Sequence, residues 1–256
     1  MVLLQSLLIT LGPPAASILI LHYKLAPYPT PFHPSKDKKK EILETLLIWG
    51  IMAGVVTTFM FLLTPSQLQN PTNKMVLQRI LIGVVPELIG PLLYVRYVKK
   101  WTWEDLGFSL PKAPSVTAYA LAFLVIGGLL PLLSDREPLS VAELVWSLYQ
   151  PAFIEEFFFR GVLQGKLERA LGQNRGWFYS GILFGLTHAP MDFFGPYWYG
   201  YEGNLVSALF LLVKQIMFGW VYGIIFMKTR SIIPTFIGHY FVDWRLGSII
   251  KRLFLS

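Results

Sequence analysis

The feature that most limits this chain is a series of apolar runs, several of them long enough to cross a lipid bilayer. A spanning helix needs roughly 20 mostly apolar residues, because in hydrocarbon every backbone N–H and C=O must be bonded inside its own segment. About eight such runs are read, at residues 2–21, 42–63, 75–98, 116–133, 141–161, 177–189, 205–227 and 232–250. The sixth is short and ends at His188-Ala189-Pro190, which suits a tilted helix or one buried by its neighbours. The expected fold class is therefore all-α, a polytopic transmembrane helix bundle with a buried polar site. Residues 1–100 are expected to supply N-terminal membrane helices and a basic loop, and 101–256 the membrane domain that carries the polar site, in the same integrated bundle.

Composition excludes the soluble alternative. Hydrophobic residues make up 54% and charged residues 14%, with a mean hydropathy of +0.52; soluble domains carry roughly 25% charge. There are no cysteines, so disulfides, thiolate zinc sites and a cysteine nucleophile are excluded. The first apolar run lacks a basic leader and a small-residue cleavage site, and is read as a retained helix. The net charge of +7 sits in short loops between apolar runs, the pattern of a protein facing anionic lipid rather than nucleic acid. Counted over alternating loops, fifteen Lys and Arg fall on one side and six on the other, with Lys214 left inside a helix. The richer side is expected in the cytoplasm.

The linkers are punctuated as loops should be. Pro27, Pro29, Pro31 and Pro34 lead into Lys36-Asp37-Lys38-Lys39-Lys40, and Thr64-Pro65 to Asn70-Pro71 forms a second turn-rich connection. Residues 101–108 read as a short interfacial helix with Trp101 and Trp103 at headgroup level and Gly107 at its end. The aromatic stretch Phe193 to Tyr199 reads as an interfacial belt on the opposite side. Glycines four apart, at Gly50/Gly54, Gly161/Gly165, Gly181/Gly185 and Gly219/Gly223, predict close helix packing.

Against that apolar background three polar clusters stand out: Glu155-Glu156 with Arg160, Phe184 with His188, and His239 with Asp243. Ionisable groups inside a bilayer are costly and mark function by default. At about 1.5 Å per residue, His188 lies some 16 Å and His239 some 12 Å from the starts of their helices, and Glu155 about 8 Å from Arg160. Three helices can thus bring these groups together in the cytoplasmic half of the membrane. Glu156 and Arg160 stand at i and i+4 with the acid first, the favourable order for an ion pair. Glu155 points about 100° away. It is assigned as the general base, and Glu156 as its arginine-bound orienting partner. His239 and Asp243 share a helix face; His239 is suited to orientation by the acid, metal ligation or a hydrogen bond to a substrate oxygen.

Glu155-Glu156-x-x-x-Arg160, Phe184-x-x-x-His188 and His239-x-x-x-Asp243 resemble the three motifs of the CAAX prenyl endopeptidase and bacteriocin-processing (Abi) superfamily. Asp105-Leu106-Gly107 also resembles that family's linker, and the likeness is best over residues 101–245. The resemblance implies an eight-helix, glutamate-dependent intramembrane protease. In it Glu155 and His188 activate a water, His239 and Asp243 stabilise the oxyanion, and Arg160 positions the glutamates. Prenyl-processing members cut a prenylated C-terminal CAAX sequence after the modified cysteine, and they carry asparagine where this chain has Asp243. An ionised aspartate only accepts hydrogen bonds, so Asp243 serves the oxyanion when protonated or paired with Arg245 or Trp244, or else fixes the tautomer of His239. The expected partners are the bilayer and a peptide or lipidated protein, with no nucleic acid and no cofactor. Two alternatives stay open: a zinc protease with Glu155, His188, His239 and Asp243 as ligands, and a non-enzymatic immunity, regulatory or transport protein.

Overall fold

The computed structural model describes residues 2–62, 81–129, 132, 137–194, 205–241 and 245–254. Among these residues the regular structure is helical and there is no strand. The helices are α1 (Val2–Tyr23), α2 (Lys38–Leu62), α3 (Leu81–Val98), α4 (Pro114–Leu129), α5 (Val141–Ser147), α6 (154–171), α7 (Gln173–Phe194), α8 (Leu205–Thr229), α9 (Ile233–Phe241) and α10 (Arg245–Phe254). Among the described residues three helical stretches are long and apolar enough to cross a membrane: Lys38–Thr58 in α2, all of α3 and all of α8. Exposed apolar side chains form a stripe along α3, at Leu81, Val85, Ile89 and Leu93, while Glu87 between them is buried at 5% exposure. That is the inside-out pattern of a helix with lipid on one side and a polar interior on the other.

Within the expected run 232–250 the described residues form α9 and α10. Arg245, Lys251 and Arg252 give α10 a charged face, which suits an amphipathic helix lying along a boundary better than one crossing it. Residues 101–108 form a hydrogen-bonded turn rather than a helix: Leu106 N–H donates to Trp103 O at 3.2 Å and Gly107 N–H to Glu104 O at 2.9 Å. Asp105 closes it by accepting from the backbone and hydroxyl of Thr102, each at 2.7 Å. Trp101 and Leu106 are buried, because the turn docks on α6, where a Cβ on Gly161 would come within 2.8 Å of Leu106 O.

The run 141–161 is interrupted in its middle. Ser140 caps α5 through a capping box with Glu143, and the helix widens into π-helical turns before breaking at Gln150 (φ −135°, ψ 124°). The break falls at the residue before a proline, a position where helical φ/ψ is disfavoured. The chain then re-enters a helix that carries Glu155, Glu156 and Arg160, with π-helical turns over Phe157–Gln164. Wide turns of this kind concentrate at functional sites because they re-aim side chains.

Helices α7 and α8 pack most extensively. A Cβ on Gly219 would sit 2.8 Å from Gly181 Cα, so here the glycine pairs do serve close approach. Gly50 and Gly54 do not, since a Cβ on either meets nothing within 4 Å. At one end of the bundle the loops are tied by charge. Lys166, fully buried, reaches Glu41 Oε1 at 2.5 Å and Glu44 Oε2 at 3.1 Å, and Lys99 binds both acids. Burial works against the charge on Lys99, yet its bonds to Glu41 and Glu44 hold its pKa above the ordinary lysine range. Arg169 reaches Asp105, and Arg230 reaches Glu168 at 2.6 Å. These residues, from the lysine- and arginine-rich set of loops, meet on one side of the bundle.

Candidate active site

The site is built where α6, α7, α8 and α9 meet. Glu156 and Arg160, one helical turn apart, are both fully buried, and Arg160 Nε donates to Glu156 Oε2 at 3.2 Å. The guanidinium lies over two aromatic faces, 5.0 Å from the Phe184 ring of α7 and 5.7 Å from the Tyr222 ring of α8. Its Nη1 and Nη2 have no hydrogen-bond partner among the described residues, so those faces are the main counterweight to burying them.

The other oxygen of Glu156 is taken by α9. His239 Nδ1 and Glu156 Oε1 are 2.9 Å apart, and a carboxylate can only accept, so Nδ1 carries the proton. Tyr222 stacks on the His239 ring at 5.2 Å and an angle of 18°. Held by a hydrogen bond on one edge and a ring on one face, the imidazole turns its Nε2 toward Glu155. Nε2 stands 3.9 Å from Glu155 Oε2. Glu155, only partly exposed, keeps that oxygen buried without a hydrogen-bond partner among the described residues. The two adjacent glutamates therefore differ as their angular offset on a helix requires. One is locked between Arg160 and His239; the other faces the imidazole.

His188 enters from α7. Its Nδ1 is 2.9 Å from Phe184 O, one turn back, and since a carbonyl only accepts, Nδ1 is again the protonated nitrogen. Nε2 is left as a base or ligand. Phe184 joins the two histidines, 4.9 Å from the His188 ring and 6.2 Å from the His239 ring. Thus Glu155, Glu156, Arg160 and His239 come together directly and His188 joins through Phe184. Asp243 lies outside the described residues, and the orienting contact on His239 comes from Glu156.

Several polar residues at or near the site went unread in the sequence. Glu87 of α3 accepts from Gln150 Nε2 at 2.8 Å and lies within electrostatic range of Glu155. Asp192, one turn beyond His188 and within electrostatic range of it, accepts from Gln215 Nε2 of α8 at 3.5 Å. The signals existed: Glu87 is an acid inside an apolar run, Gln150 precedes a proline, and Asp192 follows His188 at i+4. No group of three or more His, Asp or Glu among the described residues is placed to hold a metal ion. The zinc ligand set drawn from the sequence includes Asp243 and so extends outside them.

Residues 137–245 match the family model of the Rce1-like type II CAAX prenyl endopeptidases. That stretch contains all three motifs, and the resemblance read from the sequence rests on the same residues. No curated protein and no solved structure matches the chain significantly. Taken with the apolar helices, the match supports a membrane protease of the CAAX type in general terms.

Proposed function

We propose that the chain is a glutamate-dependent intramembrane endopeptidase acting on a membrane-associated peptide, with a prenylated C-terminal sequence as the first substrate to assay. One observation carries the reading: Glu156 holds His239 by Nδ1 and leaves Nε2 facing Glu155 at 3.9 Å. In the proposed step Glu155 accepts a proton from water while the water oxygen bonds to the scissile carbonyl carbon. His188 accepts a hydrogen bond from the second water O–H at Nε2, the nitrogen its Phe184 bond leaves free, and that hydrogen stays on the attacking oxygen. His239 donates from Nε2 to the carbonyl oxygen, its charge in that form balanced by Glu156 on Nδ1. Glu155 then passes its proton to the departing amine nitrogen as the C–N bond breaks. Asp243 is assigned a supporting place at His239 or the oxyanion.

In this reading about eight helical segments cross or enter the bilayer, with the lysine- and arginine-rich end in the cytoplasm and the site in that half. The steps run through carboxyl and imidazole groups of the chain itself, so activity is expected to survive exhaustive chelation. The test is cleavage of a prenylated peptide by purified protein. Wild type is expected to cut and Glu155→Gln to be inactive with its thermal unfolding unchanged. A Glu155→Gln protein of full activity removes Glu155 from the role of base.

A further inference from the structure

The reading above leaves Glu87 unused, although it lies within electrostatic range of Glu155. It lies on the inward face of α3, at 5% exposure, opposite the apolar stripe of that helix. The segment Val85–Ile89 packs against Ile154–Glu156, the turn that carries the catalytic carboxylate. Its position is fixed by design rather than by chance contact. Gln150, at the break before Pro151, donates through its side chain to Glu87 Oε2 at 2.8 Å. Gly83, one turn back on α3, leaves room for both: a Cβ there would lie 3.3 Å from Gln150 Oε1 and 3.3 Å from Glu87 Oε2.

On the turn that packs against Val85–Ile89, Glu155 Oε2 is buried and has no hydrogen-bond donor among the described residues. Glu156 has Arg160 and His239 as donors, whereas Glu87 has only the neutral amide of Gln150 among the contacts described. Glu87 lies within electrostatic range of Glu155, and two carboxyl groups brought close in an apolar interior are held by sharing a proton, as in paired-acid sites generally. An unshared buried lone pair, by contrast, carries the full desolvation cost of that atom.

We propose that Glu87 is a positioning residue for the reaction: anchored by Gln150, it holds a proton-bridged hydrogen bond to Glu155 and so aims the base at its water. This rests on the peptidase reading above, since it gives Glu87 a task only if Glu155 is the base. The bridge fixes the Glu155 carboxyl in its place facing His239, and its second oxygen stays free for the proton it abstracts. Substrate binding does not run through Glu87, so its loss is felt in kcat rather than in KM. Misplacing a catalytic group by about 1 Å costs roughly 10²-fold.

Two variants and one spectrum test it. Glutamine can accept from Gln150 and donate an N–H to Glu155, reproducing the bridge; leucine fills the space and does neither. Glu87→Leu is expected to lower kcat roughly 10- to 100-fold with KM within about twofold, and Glu87→Gln to stay within about threefold of wild type, a margin under the worth of one hydrogen bond. A Glu87→Leu protein with wild-type kcat, or a folded Glu87→Gln protein as impaired as Glu87→Leu, overturns the proposal. Infrared difference spectra at neutral pH provide a readout that needs no substrate. A protonated carboxyl C=O band present in wild type is expected to vanish in both Glu87→Gln and Glu155→Gln. Its persistence in both overturns the proposal whatever the outcome of the cleavage assay. If instead the band behaves as expected and wild type cuts no peptide, the paired acids stand and the peptidase reading falls.

Discussion

Arg160 offers the most quantitative test of how the site is held. It is fully buried, it gives one hydrogen bond to an equally buried Glu156, and its guanidinium sits over the Phe184 and Tyr222 rings. Replacing it with leucine keeps much of the volume but leaves the Glu156 carboxylate with His239 as its remaining charged partner. Removing one partner of a buried ion pair typically costs about 3–5 kcal/mol, whereas replacing both by apolar groups is often nearly neutral. Arg160→Leu is therefore expected to destabilise by about 3–5 kcal/mol, a change of roughly two to almost four powers of ten in the folding equilibrium at 1.36 kcal/mol per tenfold. Glu156→Leu strands the guanidinium and is expected to cost a similar amount. The double variant should be more stable than either single one, and it should also be inactive, because His239 has lost the acceptor that orients it. Reversible unfolding of the four proteins in one detergent provides the double-mutant cycle, with peptide cleavage measured in parallel. Additive losses in the double variant would refute the buried-pair account.

Three further outcomes follow from particular contacts. Tyr222→Leu removes the ring stacked on His239 and is expected to lower kcat about tenfold while leaving KM in place, checked by steady-state kinetics. Gly219→Val drives a side chain into Gly181, whose Cα lies 2.8 Å from the position of the new Cβ, and should cost about 1–3 kcal/mol or more in detergent unfolding. Lys166→Met breaks the buried bonds to Glu41 and Glu44 but leaves Lys99 on both acids, so about 1–3 kcal/mol is expected in the same unfolding measurement, less than for Arg160.

The parts of this architecture that are legible in the sequence are those set by short-range geometry and by solvent. Helix length in hydrocarbon and the i, i+4 rule are enough to expect all-α structure, the Glu156–Arg160 pair and the divergence of Glu155 from Glu156. What pattern reading does not reach is the partnership between segments far apart in the chain. The helix face shared by His239 and Asp243 can be read from the i, i+4 spacing, whereas the contact of His239 Nδ1 with Glu156, 83 residues away in sequence, cannot. Gln150 and Glu87 meet where a helix that hydropathy alone draws as continuous breaks before a proline. Residues 101–108 carry interfacial tryptophans by composition, but a turn closed by Asp105 buries Leu106 against the bare surface of Gly161 and Trp101 against that of Gly165. The charged face of α10 shows the same limit: mean hydropathy is blind to which face of a helix the arginines occupy.

The central claim is spatial: Glu155 and His239, from separate helices, face one shared point. The chain has no cysteine of its own, so engineered pairs report distance without background. The measurement is cross-linking of the double variant Glu155→Cys, His239→Cys by a short thiol-specific bifunctional reagent, read by mass spectrometry. Phe178→Cys, Trp220→Cys, replacing two rings that stack at 5.1 Å on the α7–α8 contact, serves as the linking control. Efficient intrachain linkage at 155 and 239 is the result this account predicts. Linkage of the control pair alone, with 155 and 239 unreacted toward one another, would contradict it.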